Sequence, residues 1–557
     1  MSGGGDGPRG RTARGRGATS EENIPYGAYD RRPTGVDRPA RVASRRMGVP
    51  ELLDLDATAL ARTLRAGDAS PTEVLDATLD AAERAGGPLG AFAVLAPDLA
   101  RAQARDAEAA LLAARRDGTS GTPGALPPFL GVPCPVKDLT MVEGVPMRAG
   151  SAAVEPFSPA VDDGVVTLLR AAGTVMVGKT STPELGLPCY TEPDVGPAAR
   201  TPWDPARSAG GSSGGAAAAV AARVVPVAHG NDGGGSLRIP ASACGLVALK
   251  PSRGRVSPGP YGVDGAGLAT HGVLTRTVRD TAAFLDVLSR PWPGDTFAAL
   301  DIVPAGSRAH DVLPGGPPTT FADVVAAASA GPLRRPVRVG LLVEPVIAAD
   351  APVHPACADA ARGAAALLAA AGHDVVEVAP PFAAERWESF AALWSVGALL
   401  APVPPDAEER LVPLTRWLRE RGRSVTGLEH ATALGGVQSL AREVATAWHD
   451  VDVVLSPTLA QPPALVGSQR RDDDPAADFA AQTAFTPWTS VDNLTGRPSV
   501  SLPLGETRVE DPDGATRTVP LGVMLGAHHG DDALLLALAA LLEQAAPWSG
   551  RRPPEVS

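Results

Sequence analysis

The chain has 557 residues, 44% of them hydrophobic, and a formal net charge of −12. That length fits one large α/β domain or two or three smaller ones, and the acidic balance argues against a phosphate-neutralising surface and so against nucleic-acid binding. The four cysteines, Cys134, Cys189, Cys244 and Cys357, lack C-x-x-C spacing and suggest neither a disulfide scaffold nor a zinc site. No 18-residue apolar run and no charged-then-apolar leader occurs, so no membrane partner is expected and the cytoplasm is the expected location.

In chain order, residues 1–46 are rich in Gly, Arg, Pro and Ser and read as a disordered tail, with Met47 a candidate natural start. From Leu52 the pattern changes to two amphipathic helices. Ser70, Pro71 and Glu73 form a capping-box start for the second. Short apolar runs then alternate with Ala/Leu-rich runs. "GTVMVGKT", "VRVGLLVE", "HDVVEVAP" and "DVVLSPT" read as strands; "DAARGAAALLAAAG" and "DDALLLALAALLEQAA" read as helices. The alternation predicts an α/β architecture with a mostly parallel or mixed central sheet. Residues 293–336 are Pro/Gly-rich and read as an irregular loop insertion inside a single domain spanning 47–550, followed by a tail at 551–557.

The basic residues carry a signal of their own. Only Lys137, Lys179 and Lys250 are lysines; the other 47 are arginines. Arginine keeps its proton in a protein, whereas a buried lysine can lose it. A surviving lysine is therefore a candidate for proton chemistry, although packing explains Lys179 and Lys250 at least as well. Lys137 sits in "LGVPCPVKDLTMVEGVPMRAGS", between apolar and Pro-rich stretches that could desolvate it.

Two Gly/Ser-rich stretches follow. "SAGGSSGGAAAAVAAR" at 208–223 runs from a flexible turn into a strong helix former. "HGNDGGGSLRIP" at 229–240 places Ser236 after three glycines. A phosphate loop fails, since neither G-x-x-x-x-G-K-[ST] nor a strand-borne G-x-G-x-x-G is present. Gly211-Ser212-Ser213-Gly214-Gly215 matches the nucleophile-elbow pattern, but Pro-rich sequence stands where that motif needs a strand. The remaining reading makes Ser236 a nucleophile. No histidine sits in a distinctive setting, so a neutral lysine is the candidate base. The tripled glycines would expose backbone N–H groups to an oxyanion.

These stretches, with "GVPCPVKD", "KTSTPELGLPCYTEPDVGPAARTPWDPARSAGG" and "DNLTGRPSVSLPLG", closely resemble the amidase signature family over roughly residues 50–548. The resemblance implies a large mixed sheet covered by α-helices on both faces. It implies amide hydrolysis through a Ser–cis-Ser–Lys triad and an acyl-enzyme, with no metal or organic cofactor. Carried over by motif, Ser236 is the nucleophile. Ser212, 24 residues earlier, is the bridging serine after a cis peptide, and Lys137, another 75 residues back, is the base. The N–H groups of Gly233, Gly234, Gly235 and Ser236 would form the oxyanion hole. Ser213, Asp232 and Arg238 would support the loop.

The sequence departs from the commonest family pattern, which has Thr where Asn231 stands. The "HGNDGGGS" form and Thr191-Glu192-Pro193 resemble the branch that contains 6-aminohexanoate cyclic-dimer hydrolase. Cys189, Tyr190, Trp488, Val491 and Asn493 are expected to line the pocket, a core role being the alternative for each. The expected partner is a small-molecule amide, with a homodimer also considered. Two further functions carry the same motifs: the glutaminase A subunit of a glutamine-dependent tRNA amidotransferase, and a non-catalytic binding protein.

Overall fold

The computed structural model describes residues 48–554, apart from 123, 264, 317 and 512. The tail read at 1–46, Met47 and residues 555–557 lie outside the described residues. Among the described residues, eleven strands run in chain order: β1 Phe92–Leu95, β2 Val136–Lys137, β3 Gly178–Thr180, β4 Val227–Asp232, β5 Val247–Lys250, β6 Thr270–Thr275, β7 Arg338–Leu341, β8 Asp374–Glu377, β9 Val453–Pro457, β10 Ser499–Glu510 and β11 Thr516–Ala527. Eight form one sheet in the order β4-β6-β5-β10-β11-β9-β7-β8, and three form a small sheet, β1-β3-β2.

The large sheet is mixed. Only β9–β7 and β7–β8 pair in parallel; its other neighbours are antiparallel. The parallel edge needs a crossover, and helix Pro355–Ala370 supplies it between β7 and β8. β10 and β11 follow one another closely and pair antiparallel as a long hairpin.

Strand alternation assigns each face of the sheet to a different core. Val227, Val247, Leu249, Val273, Val339, Val453, Leu455, Val523 and Leu525 point into a core shared with helices Val278–Leu288, Phe321–Ala330, Pro355–Ala370 and Asp532–Ala545. The intervening Ala228, Ala248 and Leu274 face helices Gly214–Ala221 and Arg238–Cys244. Further along, Val454 and Met524 face Trp488 and Val491. Helices therefore cover both faces. The second layer is built of small residues, which lets helices come close; a Cβ on Gly522 of β11 would lie 2.5 Å from Ser242 Oγ. Helix Gly214–Ala221 is apolar all round and wholly buried, as such a helix must be.

The N-terminal helices form where the spacing predicts them, at Ala57–Ala66 and Pro71–Ala81, with the Ser70/Glu73 capping box in place. The segment 293–336 differs from its reading as an irregular loop. It carries helices Ala309–Val312 and Phe321–Ala330, the latter capped by Thr320 and burying Phe321, Val324, Val325 and Ala328. That i, i+3, i+4, i+7 spacing is a helical signal hidden among flanking prolines and glycines. Residues 551–554 are not free either: Arg551 donates to the Pro503 carbonyl at 3.0 Å and Arg552 pairs with Asp54 at 2.7 Å. Among the described residues, no helix is long and apolar enough to cross a membrane.

Candidate active site

Lys137 ends β2, a two-residue strand held parallel to β3. β4 runs beside it, and the His229 N–H donates to the Pro135 carbonyl at 3.0 Å. The chain leaves β4 at Asp232, turns through Gly233–Gly235, and enters helix Arg238–Cys244 just after Ser236. Ser212 arrives separately, on the loop that opens helix Gly214–Ala221, and the Gly211–Ser212 peptide is cis. Gly211 has to be glycine: a Cβ there would lie 2.7 Å from the Tyr190 backbone.

These three distant segments bring their side chains into one line. Lys137 Nζ is 2.7 Å from Ser212 Oγ, and Ser212 Oγ is 2.9 Å from Ser236 Oγ. Lys137 is completely buried and Ser236 is 7% exposed, so the far end of the line alone meets solvent. Burial holds the Lys137 ammonium well below the ordinary lysine range; the Asp232 charge opposes this without offsetting it. Burial therefore favours the neutral amine, a form that can accept a proton. Asn231, the penultimate residue of β4, accepts from Lys137 Nζ at 2.7 Å.

The other two lysines are buried as well. Lys179 pairs with Asp138 at 3.1 Å, and Lys250 donates to the Pro251 carbonyl at 2.8 Å. Burial and the neighbouring Arg238 bring Lys250 down to about 7. Neither bonds to a serine, so the line through Ser212 singles out Lys137.

Asp232 organises the glycine loop. Its carboxylate accepts from the N–H groups of Gly235 (2.8 Å) and Leu237 (3.1 Å), from Arg238 Nε (2.9 Å) and Nη2 (2.8 Å), and from Asn493 Nδ2 (2.9 Å). Burial alone would raise its pKa, but the Arg238 guanidinium and these donors hold it well below the carboxylate range. Arg238 also donates to the Thr489 carbonyl at 2.7 Å and Asn493 Oδ1 at 2.7 Å. Thr489 Oγ1 in turn donates to the Gly234 carbonyl at 2.7 Å. Ser213 helps from the other side, donating through Oγ to the Asn231 carbonyl and through N–H to the Ser236 carbonyl, each at 3.3 Å.

The loop differs from the sequence expectation at one position. The Gly235 N–H is taken up by Asp232, so it does not face the space above Ser236. Among the described residues, the N–H groups of Gly233, Gly234 and Ser236 make no hydrogen bond. Gly235 is needed for a backbone reason instead. Its φ of 136° is in glycine's territory, and a Cβ would lie 2.6 Å from Ile239 Cδ1 and Thr489 Oγ1.

A narrow cavity of about 60 Å³ opens on Ser236 and Gly234. Cys189 lines it. The other expected wall residues do not. Tyr190 turns its hydroxyl to Asp478 Oδ2 at 2.7 Å. Trp488 and Val491 line a separate cavity with Leu342 and Val346, where they pack as core. Asn493 lies beneath the glycine loop. The walls of this cavity include Trp387, Phe390, Trp394 and Phe479, stacked or tilted on one another at centroid distances of 5.0–5.8 Å. The signal was present: aromatics are 4% of the chain, yet three fall within eight residues at i, i+3, i+7. Among the described residues, no charged residue lines this cavity.

Comparison with known proteins gives the family of the chain. A family model described as Amidase matches residues 73–536. The chain is 37% identical over 523 residues to 6-aminohexanoate-cyclic-dimer hydrolase of Paenarthrobacter ureafaciens, covering 89% of this chain and 96% of that protein. It is 35% identical over 516 residues to putative amidase AmiC of Mycobacterium tuberculosis (strain ATCC 25618 / H37Rv), covering 90% and 97%. A solved structure of 6-aminohexanoate cyclic dimer hydrolase complexed with substrate superposes with a TM-score of 0.76 at 34% identity, covering 90% of this chain and 99% of that one.

Proposed function

This chain belongs to the amidase family, and from that premise we propose that it hydrolyses uncharged carboxylic amides through Ser236, Ser212 and Lys137. The single observation that carries the reading is the unbroken line from the buried Lys137 Nζ through Ser212 Oγ to the solvent-facing Ser236 Oγ.

The steps follow from those positions. The Ser236 hydroxyl gives its proton to Ser212 Oγ while Ser212 passes its own to the Lys137 lone pair. Ser236 Oγ attacks the amide carbon, and the N–H groups of Gly233, Gly234 and Ser236 receive the negative oxygen. The proton returns along the same line to the departing nitrogen, the C–N bond breaks, and an ester to Ser236 remains. Water, deprotonated by the same route, attacks that ester and releases the acid. Ser212 is needed because Lys137 bonds to it rather than to the nucleophile. Asp232 and Arg238 hold the loop and take no part in proton transfer.

The aromatic, uncharged walls support an apolar acyl group in a slim slot. They speak against the glutaminase reading, since glutamine would bring an ammonium and a carboxylate that need charged partners. Cyclic and linear aliphatic amides are the class to test first, given the relatives named for a cyclic dimer.

The test pairs wild type with Ser236→Ala over aryl, aliphatic and cyclic amides, with glutamine as control. A serine-directed phosphonate should label only the wild type, and only neutral amides should turn over. Retained hydrolysis in Ser236→Ala, or no labelling of wild type, overturns the assignment.

A further inference from the structure

We propose that Asn231 is the positioning residue that aims the Lys137 lone pair at Ser212, an inference that rests on Lys137 acting as the base. The end of β4 is a two-sided device. Successive strand residues point to opposite faces, so Asp232 turns to Arg238 and the glycine loop while Asn231 turns to Lys137. Asn231 is held in register opposite His271 of β6, and its own carbonyl receives Ser213 Oγ.

The chemistry of the contact is asymmetric. A neutral amine has two N–H bonds and one lone pair. It has two polar neighbours at 2.7 Å, Asn231 Oδ1 and Ser212 Oγ. An amide oxygen only accepts, so one N–H must go to Asn231. That contact removes free rotation about the Cε–Nζ bond and leaves Ser212 facing either the lone pair or the second N–H. The serine hydroxyl can rotate to donate, which completes the line. A threonine at 231 could donate as well as accept and would not impose this orientation.

The other groups around Lys137 do not substitute for Asn231. Asp232 faces away and favours the ammonium only through its charge. His229 and His271, joined at 3.1 Å on β4 and β6, are kept neutral, His229 well below its usual range and His271 at about 4, chiefly by burial. Lys179 is paired with Asp138.

The experiment compares Asn231→Asp, Asn231→Ala and Asn231→Ser with wild type and Lys137→Ala, reading kcat/KM against pH on one neutral amide and the phosphonate-labelling rate of Ser236. An aspartate at 231 places a charge beside Nζ and should move the acid limb to higher pH by about one unit or more, with activity regained above it. The alanine variant should move the limb downward or leave it, and lower the plateau between about 10- and 100-fold. The serine variant keeps an acceptor, should recover part of that loss, and serves as the test if the aspartate variant does not fold. A purely structural role would lower all three plateaus without moving the limb or ordering the variants by acceptor. That result, with Lys137→Ala inactive, overturns the inference while the base assignment stands. Near-wild-type rates in Lys137→Ala overturn the base assignment, and this inference with it.

Discussion

Asp232→Ala should be far more damaging to the fold than its place next to the nucleophile suggests. The side chain is fully buried and gathers five donors: two backbone N–H groups, two arms of Arg238 and the Asn493 amide. Removing it leaves Arg238, itself fully buried, with one carboxylate in reach, Asp492 at 3.4 Å. Breaking a buried ion pair in this way costs about 3–5 kcal/mol, a large share of a total of about 5–15 kcal/mol. The freed Gly235 N–H also releases the loop that holds Ser236. Urea unfolding beside wild type and Ser236→Ala measures it. Ser236→Ala should sit near wild type, and Asp232→Ala should lose most of its margin. Because the folded pKa of Asp232 is depressed, its contribution is complete above the ordinary carboxylate range. It fades as pH falls through the folded value. The gap between wild type and variant should therefore narrow below about pH 4. A loss under about 1 kcal/mol at neutral pH, within the range of ordinary point changes, would refute the role given to Asp232.

Other outcomes follow from the same geometry. Lys137→Arg should cut kcat by about 10²–10⁴-fold, because arginine keeps a charge but cannot act as base; near-normal turnover contradicts the mechanism. Activity should rise with pH as Lys137 loses its proton and then level off; a profile flat down to about pH 5 counts against it. Lys137→Met should be inactive yet more stable at neutral pH, on the order of 1 kcal/mol. Burial makes a proton on this lysine costlier in the folded chain than in the unfolded one, and denaturant midpoints at pH 7 read the difference. Trp387→Ala should widen the aromatic slot and raise kcat/KM for bulky acyl groups relative to slim ones by roughly 10-fold; equal effects on a graded amide series would remove Trp387 from the acyl wall.

Local patterns were legible in the chain because they act over a few residues. The Ser70 capping box, the Ala-rich helix at 214–221 and the triple glycine before Ser236 are all short-range facts. The scarcity of lysine pointed to Lys137, and all three lysines are buried. The helix at 321–330 was legible only in part, because prolines and glycines on both sides masked its apolar spacing.

Other features depend on which strands meet. The partner of Gly235 N–H, the contact between Asn231 and Lys137, and the identity of the pocket walls all join residues far apart in sequence. The 387–394 aromatics reach the cavity at Ser236 only because helix Glu388–Leu400 and the residue before it pack over the glycine loop, with Phe390 and Trp394 against Gly234 and Gly233. Trp488, equally apolar and close to Thr489, points into a different core. Composition and periodicity determined which segments would be strands, helices and reactive turns, since those depend on local sterics and on hydrophobic spacing. Only the tertiary structure decided which hydrogen-bond donors were already used and which remained for a substrate, because that depends on the whole set of neighbours around each atom.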